Sequence, residues 1–379
     1  MKPRFTTALV AVALLGTGTL GRAQATLAST PAVANCPAGL TERLTSQFTP
    51  WLDTVSLSGV VVVACHGRAV YSIARGQANR RTGVANTLAT RFNLGSMNKM
   101  WTAVAVAQLV EQGKIDLTAP VGRYLPTIAN PVVRDQVLVH HLLTHTSGLG
   151  MYFTRGFLRD RIYPNRASDY LPFFAEDAPA FTPGARMQYS NAGFALLGAI
   201  VEAVSGQSYF DYMQTHILGP AGMSPSAYED ARTLTPGMAV PYGTPPGAEG
   251  SIDTSNQIEA RGGPAGGAFA TAADVITFSR ALWSGTLVNE ALVKEFTTGK
   301  VAMGPAMKYA YGFGEGATNG WRHVGHNGGM PGVGTEFLSF PDHGIDIVVL
   351  TNMDMPTATQ AMSRLARIVT GAEVATRPE

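Results

Sequence analysis

Two pairs of strand-like segments, one near each end of the chain, constrain the fold more than any other feature. Gly59-Val60-Val61-Val62-Val63-Ala64 and Ala69-Val70-Tyr71-Ser72-Ile73-Ala74 flank His66-Gly67-Arg68, the pattern of a β-hairpin. Near the other end, 334–340 and 345–352 read as two further strands joined at Pro341-Asp342-His343-Gly344. Between the pairs, from about 119 to 282, the sequence is helical and loop-rich, with its clearest helices opening near Asn191 and Ala272. A closing helix is expected over 357–369. Strands at both ends with helices between imply an α+β fold: one antiparallel sheet flanked by helices and interrupted in sequence by an inserted, mainly helical lobe. The domain is placed at 38–372, with an α/β lobe from 38–120 and 285–372 and a helical lobe over 121–284. A mature chain of about 350 residues exceeds one simple core, in keeping with two lobes. The Pro/Gly-rich span 235–267 reads as a long loop that walls a site rather than a linker.

The first 25 residues read as a signal peptide and not as part of the fold. Lys2 and Arg4 form a basic start, residues 5–20 an apolar core, and Ala23-Gln24-Ala25 a small-x-small cleavage signal. A periplasmic or secreted location follows. No later run is long and apolar enough for a membrane span, so no stable membrane anchor is expected. Charged residues make up only 14% of the chain, against about 25% in typical domains. No basic stripe with interleaved aromatics is present, which excludes nucleic acid and points to a small-molecule or peptide substrate. Nothing in the sequence fixes the oligomeric state.

Cys36 and Cys65 are the only cysteines, and export puts them where a disulfide persists. A helix over 39–52 spans about 21 Å, and a strand over 58–65 returns about 23–26 Å. An antiparallel return therefore brings Cys65 back beside Cys36. A bridge is the favoured reading, with two free thiols as the alternative.

The chemistry concentrates in three places. The first is Phe92-Asn93-Leu94-Gly95-Ser96-Met97-Asn98-Lys99-Met100-Trp101, where an irregular segment becomes a helix expected over 96–112. Ser96-x-x-Lys99 is the one Ser-x-x-Lys in the chain. Residues at i and i+3 share a helix face, so the amine can reach the hydroxyl. A serine is a weak nucleophile until a neighbour takes its proton, and a helix N-terminus favours the oxyanion that forms. The bland alternative is a serine cap followed by a solvated lysine. The second is Tyr189-Ser190-Asn191, at the start of a helix. A phenol there becomes a base if a cation such as Lys99 lowers its pKa, and Asn191 offers an amide to substrate or to Lys99. Its alternative is a packed Tyr with Asn as the cap. The third is His326-Asn327-Gly328-Gly329-Met330-Pro331-Gly332, a glycine-rich edge that lets substrate approach the backbone. The Gly329 N–H is a candidate oxyanion donor, with an ordinary glycine-rich turn as the alternative for the segment, and His323 is read as structural.

With these three motifs in order, the chain resembles the penicillin-recognising serine hydrolases: class C β-lactamases, D-Ala-D-Ala carboxypeptidases and related family VIII-type esterases. Those enzymes carry Ser-x-x-Lys, Tyr-x-Asn and Lys-Thr-Gly or His-x-Gly. Residues 141–149, 181–184, 262–267 and 350–352 also look like signatures of that family, and the resemblance covers about 58–369. It implies a serine β-lactamase/DD-peptidase-like fold with no cofactor and no metal. Ser96 would be the acylated nucleophile, Lys99 would help deprotonate it, and Tyr189 would carry the proton to the leaving group. The Ser96 and Gly329 N–H groups would form the oxyanion hole, while Asn191, His326, Asn327 and Gly328 would contact substrate. His141 and His145 lie outside the motifs and are expected to be structural. The implied activity is acyl transfer from an ester or a peptide or amide. D-Ala-D-Ala carboxypeptidase and weak β-lactamase are alternatives, and a non-catalytic penicillin-binding module is a more distant one.

The third motif departs from the classical β-lactamases, which have Lys and Thr where this chain has His326 and Asn327. A neutral imidazole holds a carboxylate poorly, which counts against strong β-lactamase activity. Eight aromatic residues stand between Met151 and Phe181 (Tyr152, Phe153, Phe157, Tyr163, Tyr170, Phe173, Phe174 and Phe181). They either wall an acyl pocket or pack the helical lobe's own core. The first of these predicts a preference for hydrophobic esters that grows with acyl length.

Overall fold

The structure, a computed structural model, describes residues 36–153, 157, 162–223 and 227–374. The expected signal peptide lies outside the described residues. Residues from Cys36 onward form one compact unit.

The hairpin expected near the start is β1 (Gly59–Cys65) and β2 (Arg68–Arg75). Three short ladders follow: β3 (Gln77–Asn79) with β4 (Val84–Ala85), β5 (Phe92–Asn93) with β8 (Phe269–Ala270), and β6 (Tyr242–Gly243) with β7 (Ile252–Asp253). The main sheet adds β9 (Val301–Ala302), β10 (Lys308–Tyr309), β11 (Gly314–Thr318), β12 (Trp321–Met330), β13 (Val333–Phe340) and β14 (Ile345–Thr351). Its eight strands run in the order β2-β1-β14-β13-β12-β11-β10-β9, with every neighbour antiparallel.

The first strand and the last are adjacent, Gly59 pairing with Thr351 and Cys65 with Ile345. Both are buried along their whole length. That is why they read as unbroken apolar runs rather than alternating ones. Successive side chains still go to opposite faces. Val61, Val63, Ile345, Ile347 and Val349 join one cluster with Leu44 of the helix Leu40–Gln47, Phe48 that caps its C-terminus, and Met362 and Leu365 of the C-terminal helix Pro356–Thr370. Val60, Val62, Val348 and Leu350 join a second, larger cluster with Trp101 and Val104 of the helix Lys99–Glu111 and Phe278 of the helix Ala272–Trp283. The same cluster takes in Phe194 and Leu197 of the helix Asn191–Ser205, which lies against the Lys99 helix. Cys36 and Cys65 form a disulfide across a 6.1 Å Cα separation, tying the start of the first helix to the end of β1. No helix among the described residues is long and apolar enough to cross a membrane.

Candidate active site

Ser96 does not sit in the α-helix. Gly95–Asn98 is a turn of 3-10 helix, and the α-helix begins at Lys99. In a 3-10 turn the side chains at i and i+3 eclipse, so the tighter winding stacks Lys99 directly over Ser96. Lys99 Nζ lies 3.1 Å from Ser96 Oγ. The bland capping role does not hold, because no side chain caps this helix. Asn98 instead donates to the Gly263 carbonyl at 2.9 Å and accepts from the Ala268 N–H at 3.1 Å.

Lys99 is fully buried, which is costly for an ammonium unless it is well paired. Its other two contacts are the Asn191 side-chain oxygen at 2.7 Å and the Ala265 carbonyl. Both are pure acceptors, so each needs an N–H from the amine. A neutral amine has two such hydrogens and one lone pair. With both hydrogens committed to the carbonyls, the lone pair is left facing the Ser96 hydroxyl. Burial also pushes the Lys99 pKa down to about 7, partly opposed by Glu259. The uncharged amine is therefore available near neutrality.

Asn191 is free for this contact because the helix cap is its neighbour: Ser190 Oγ accepts from the Gly193 N–H at 2.9 Å. Tyr189 is hydrogen-bonded to Ser96. The expectation that Lys99 lowers the Tyr189 pKa is not met, since burial raises it. The reason is geometric. The ammonium lies over the ring face, 4.8 Å from its centroid, rather than against the hydroxyl. Tyr189 is also 37% exposed, so water moderates its desolvation. A phenol that keeps its proton is suited to passing protons on rather than starting the reaction as a base.

Strand β12 carries the third motif, which is regular strand and not a turn. A Cβ on Gly328 would stand 1.9 Å from the Leu94 carbonyl, and one on Gly95 (φ 50°) would stand 2.9 Å from the Gly329 nitrogen. The glycines let the Ser96 turn press its backbone onto β12 and bring the Gly329 edge close to Ser96. His326 stands behind the site rather than in its wall. Its Nδ1 is 2.5 Å from the Asn327 carbonyl and so carries the proton, leaving Nε2 to accept from the Tyr309 hydroxyl at 2.9 Å. Burial and nearby Lys99 lower its pKa to about 3, so the ring is neutral. Asn327, expected at the substrate, lies in register with Glu336, which bonds Thr359 of the C-terminal helix. Strand alternation sends Asn327 away from His326, and it does not line the pocket.

His145 packs against Tyr189 with ring centroids 4.3 Å apart and accepts from the Ser190 N–H at 3.1 Å. It acts as a support beneath the phenol. His141 accepts from the Leu138 N–H at 3.2 Å, and His323 packs on Phe340, so neither lines the pocket. Among the described residues no group of three or more His, Cys, Asp or Glu side chains could hold a metal.

The pocket over Ser96 has a volume of about 110 Å³ and is walled by Met151, Phe153, Tyr189, Asn191, Glu259, Gly266, Gly267, Gly329 and Met330. Of the aromatic stretch only Phe153 reaches it. Tyr152, Phe157, Tyr170 and Phe174 are buried in the helical core, so core packing accounts for most of that stretch. Glu259 escaped the sequence reading: it sits in the long 235–267 loop with no motif around it. Tyr152 donates to its Oε1 at 2.6 Å.

The chain is similar to several known proteins. An esterase of Burkholderia gladioli, EstB, is 36% identical over 220 residues, covering 54% of this chain and 55% of the esterase, about half its length. Penicillin-binding protein 4 of Amycolatopsis lactamdurans is 31% identical over 308 residues, covering 76% of this chain and 79% of its own. The crystal structure of a penicillin-binding protein from Bacillus halodurans matches with a TM-score of 0.75 at 31% identity, over 84% of this chain and 97% of that one. The Beta-lactamase family model matches residues 45–371, which takes in the Ser96 turn, Tyr189 and β12 together, and this chain belongs to that family of serine hydrolases.

Proposed function

We propose that this chain is an exported serine hydrolase that forms an acyl-enzyme on Ser96 and acts on small esters or amides rather than on β-lactams or D-Ala-D-Ala peptides. The observation that carries this reading is the Lys99 arrangement: a buried Nζ within hydrogen-bond reach of the Asn191 and Ala265 carbonyl oxygens and of Ser96 Oγ, which for the neutral amine turns its lone pair to the serine. Neutral Lys99 takes the Ser96 proton as Oγ attacks the carbonyl carbon. The N–H groups of Ser96 and Gly329 receive the oxyanion. Tyr189 passes the proton to the leaving group, and water then releases the acyl group by the same route in reverse.

The choice of substrate rests on charge. Penicillins and D-Ala-D-Ala peptides present a carboxylate, and among the described residues of the pocket wall there is no cation to receive one. Glu259, the one carboxyl among the described lining residues, offers a substrate carboxylate no positive charge, and His326 is neutral. Parallel kinetics with a p-nitrophenyl ester, nitrocefin and a D-Ala-D-Ala peptide test the reading. The ester is expected to exceed nitrocefin in kcat/KM by on the order of 10²-fold. Among esters the rate should peak between acetate and butyrate and fall by octanoate, because the pocket is small. Efficient nitrocefin turnover would overturn the assignment.

The pH profile follows from Lys99. Its pKa is lowered, so the ammonium is the form that loses out, and the working base appears as pH rises. kcat/KM for a neutral ester should climb with pH through about 7 and then level off. In Glu259→Gln the limb should persist but move to lower pH, because the carboxylate that favours the Lys99 ammonium is gone. A flat profile between pH 5.5 and 9 would exclude Lys99 as the base.

A further inference from the structure

Glu259 is the pocket's unexplained group. It is 3% exposed, yet Oε2 has no hydrogen-bond partner among the described residues. Oε1 is fixed by the Tyr152 hydroxyl, so the carboxyl cannot turn to satisfy both oxygens there. The free oxygen lies toward the nucleophile's own loop. A Cβ placed on Gly267 would stand 3.3 Å from it, and the Gly267 N–H donates to the Gly95 carbonyl at 3.0 Å. Lys99 does not serve as its partner, since the amine's contacts are Ser96, Asn191 and Ala265. A buried carboxylate oxygen left without a donor costs about 1–3 kcal/mol or more, which a fold retains only if something else supplies the donor.

We propose that Glu259 is the specificity group of the site and that Oε2 receives a protonated amine carried on the acyl part of the substrate. The preferred substrates are then esters or amides of small amino acids with a free amino group. This inference rests on the proposed acyl-enzyme chemistry at Ser96. The acyl part is assigned because the pocket closes directly over Ser96, with Glu259, Gly266 and Gly267 in the same wall. Whatever stays on the serine after the leaving group departs is held against that wall. An ammonium there is matched by Glu259, the one carboxyl among the described residues of the lining. Burial pushes the Glu259 pKa up to about 7, so the empty site pays little for an unpaired charge and ionises when a cation arrives.

The test uses an isosteric pair, alanine methyl ester (each enantiomer) and methyl isobutyrate, which differ by an ammonium in place of a methyl group. Hydrolysis is followed by NMR in wild-type protein and in Glu259→Gln. Wild type is expected to favour one alanine ester over isobutyrate by about 10–100-fold in kcat/KM, the span of one hydrogen bond to a charged group. In Glu259→Gln that ratio should fall to about 1, whatever the absolute rates. A wild-type ratio at or below 1, or a ratio unchanged in Glu259→Gln, overturns the inference, and the wild-type ratio stands even if the variant fails to fold. A series with the amine in the alcohol portion, such as choline-free aminoethyl acetate against propyl acetate, overturns the acyl assignment if it shows the larger preference. Labelling of wild type by a fluorophosphonate at Ser96 is run alongside: its absence sinks the acyl-enzyme reading itself, whereas labelling with no amine preference sinks only the role of Glu259.

Discussion

Ser96→Ala is expected to abolish covalent labelling by a serine-directed fluorophosphonate and to lower ester turnover by on the order of 10³-fold or more. The hydroxyl is the common partner of Lys99 and Tyr189, so its loss leaves both without a function in the reaction. Lys99→Ala removes the lone pair and leaves the Asn191 and Ala265 oxygens without their donor. Tyr189→Phe keeps the ring packed on His145 but removes the proton carrier. Each single variant should therefore be strongly impaired, and the double variants should be little worse than Ser96→Ala alone, because the three groups act as one unit. Intact-mass measurement gives the decisive result. A Ser96→Ala protein that still gains the mass of the probe would refute the nucleophile assignment.

The second large effect is on stability. Opening the Cys36–Cys65 bridge, which spans 29 residues, should cost about 3–4 kcal/mol on the chain-entropy account, less any strain released. The bridge closes the loop that holds the first helix against β1 and the C-terminal helix, and Cys65 is buried in that apolar cluster. Cys36→Ser/Cys65→Ser should show a lower urea midpoint with the catalytic machinery intact, since neither cysteine is near the pocket. Two alkylatable thiols in protein unfolded without reductant would rule the bridge out.

Much of the fold was legible because its central strands are short apolar runs bounded by turn residues. The β1–β2 and β13–β14 segments lie within a residue or two of where the sequence puts them. The edge of the sheet was not legible. Strands β9 and β10 are two residues long, and β11 contains Gly314 and Gly316, so no alternation is visible. In β12 the glycines that let Ser96 approach are the same residues that disguise the strand as a turn. At the site, Ser96, Lys99 and Tyr189 stand out because motif spacing reports local geometry. Glu259 could not be found that way. It meets the pocket through a loop whose path is set by tertiary contacts, and a single acidic residue in a long loop carries no periodic signal. The Tyr189 pKa was misjudged for a related reason: sequence places the lysine near the phenol but not over its ring face.

The pairing of Gly59 with Thr351 has a consequence for how the molecule is made. The valine-rich edge of β1 has no partner on its β14 side until residues 345–351, almost 300 positions later, have been synthesised. Oxyanion strand β12 likewise emerges long after the Ser96 turn it must meet. Contacts so distant in sequence close late and slowly. A nascent chain that lacks β12 and β14 is therefore expected to be catalytically silent, and it exposes an apolar strand edge open to aggregation. Ser96 and β12 thus meet only in chains already long enough to close the sheet, with vulnerability to aggregation greatest just before β14 is delivered.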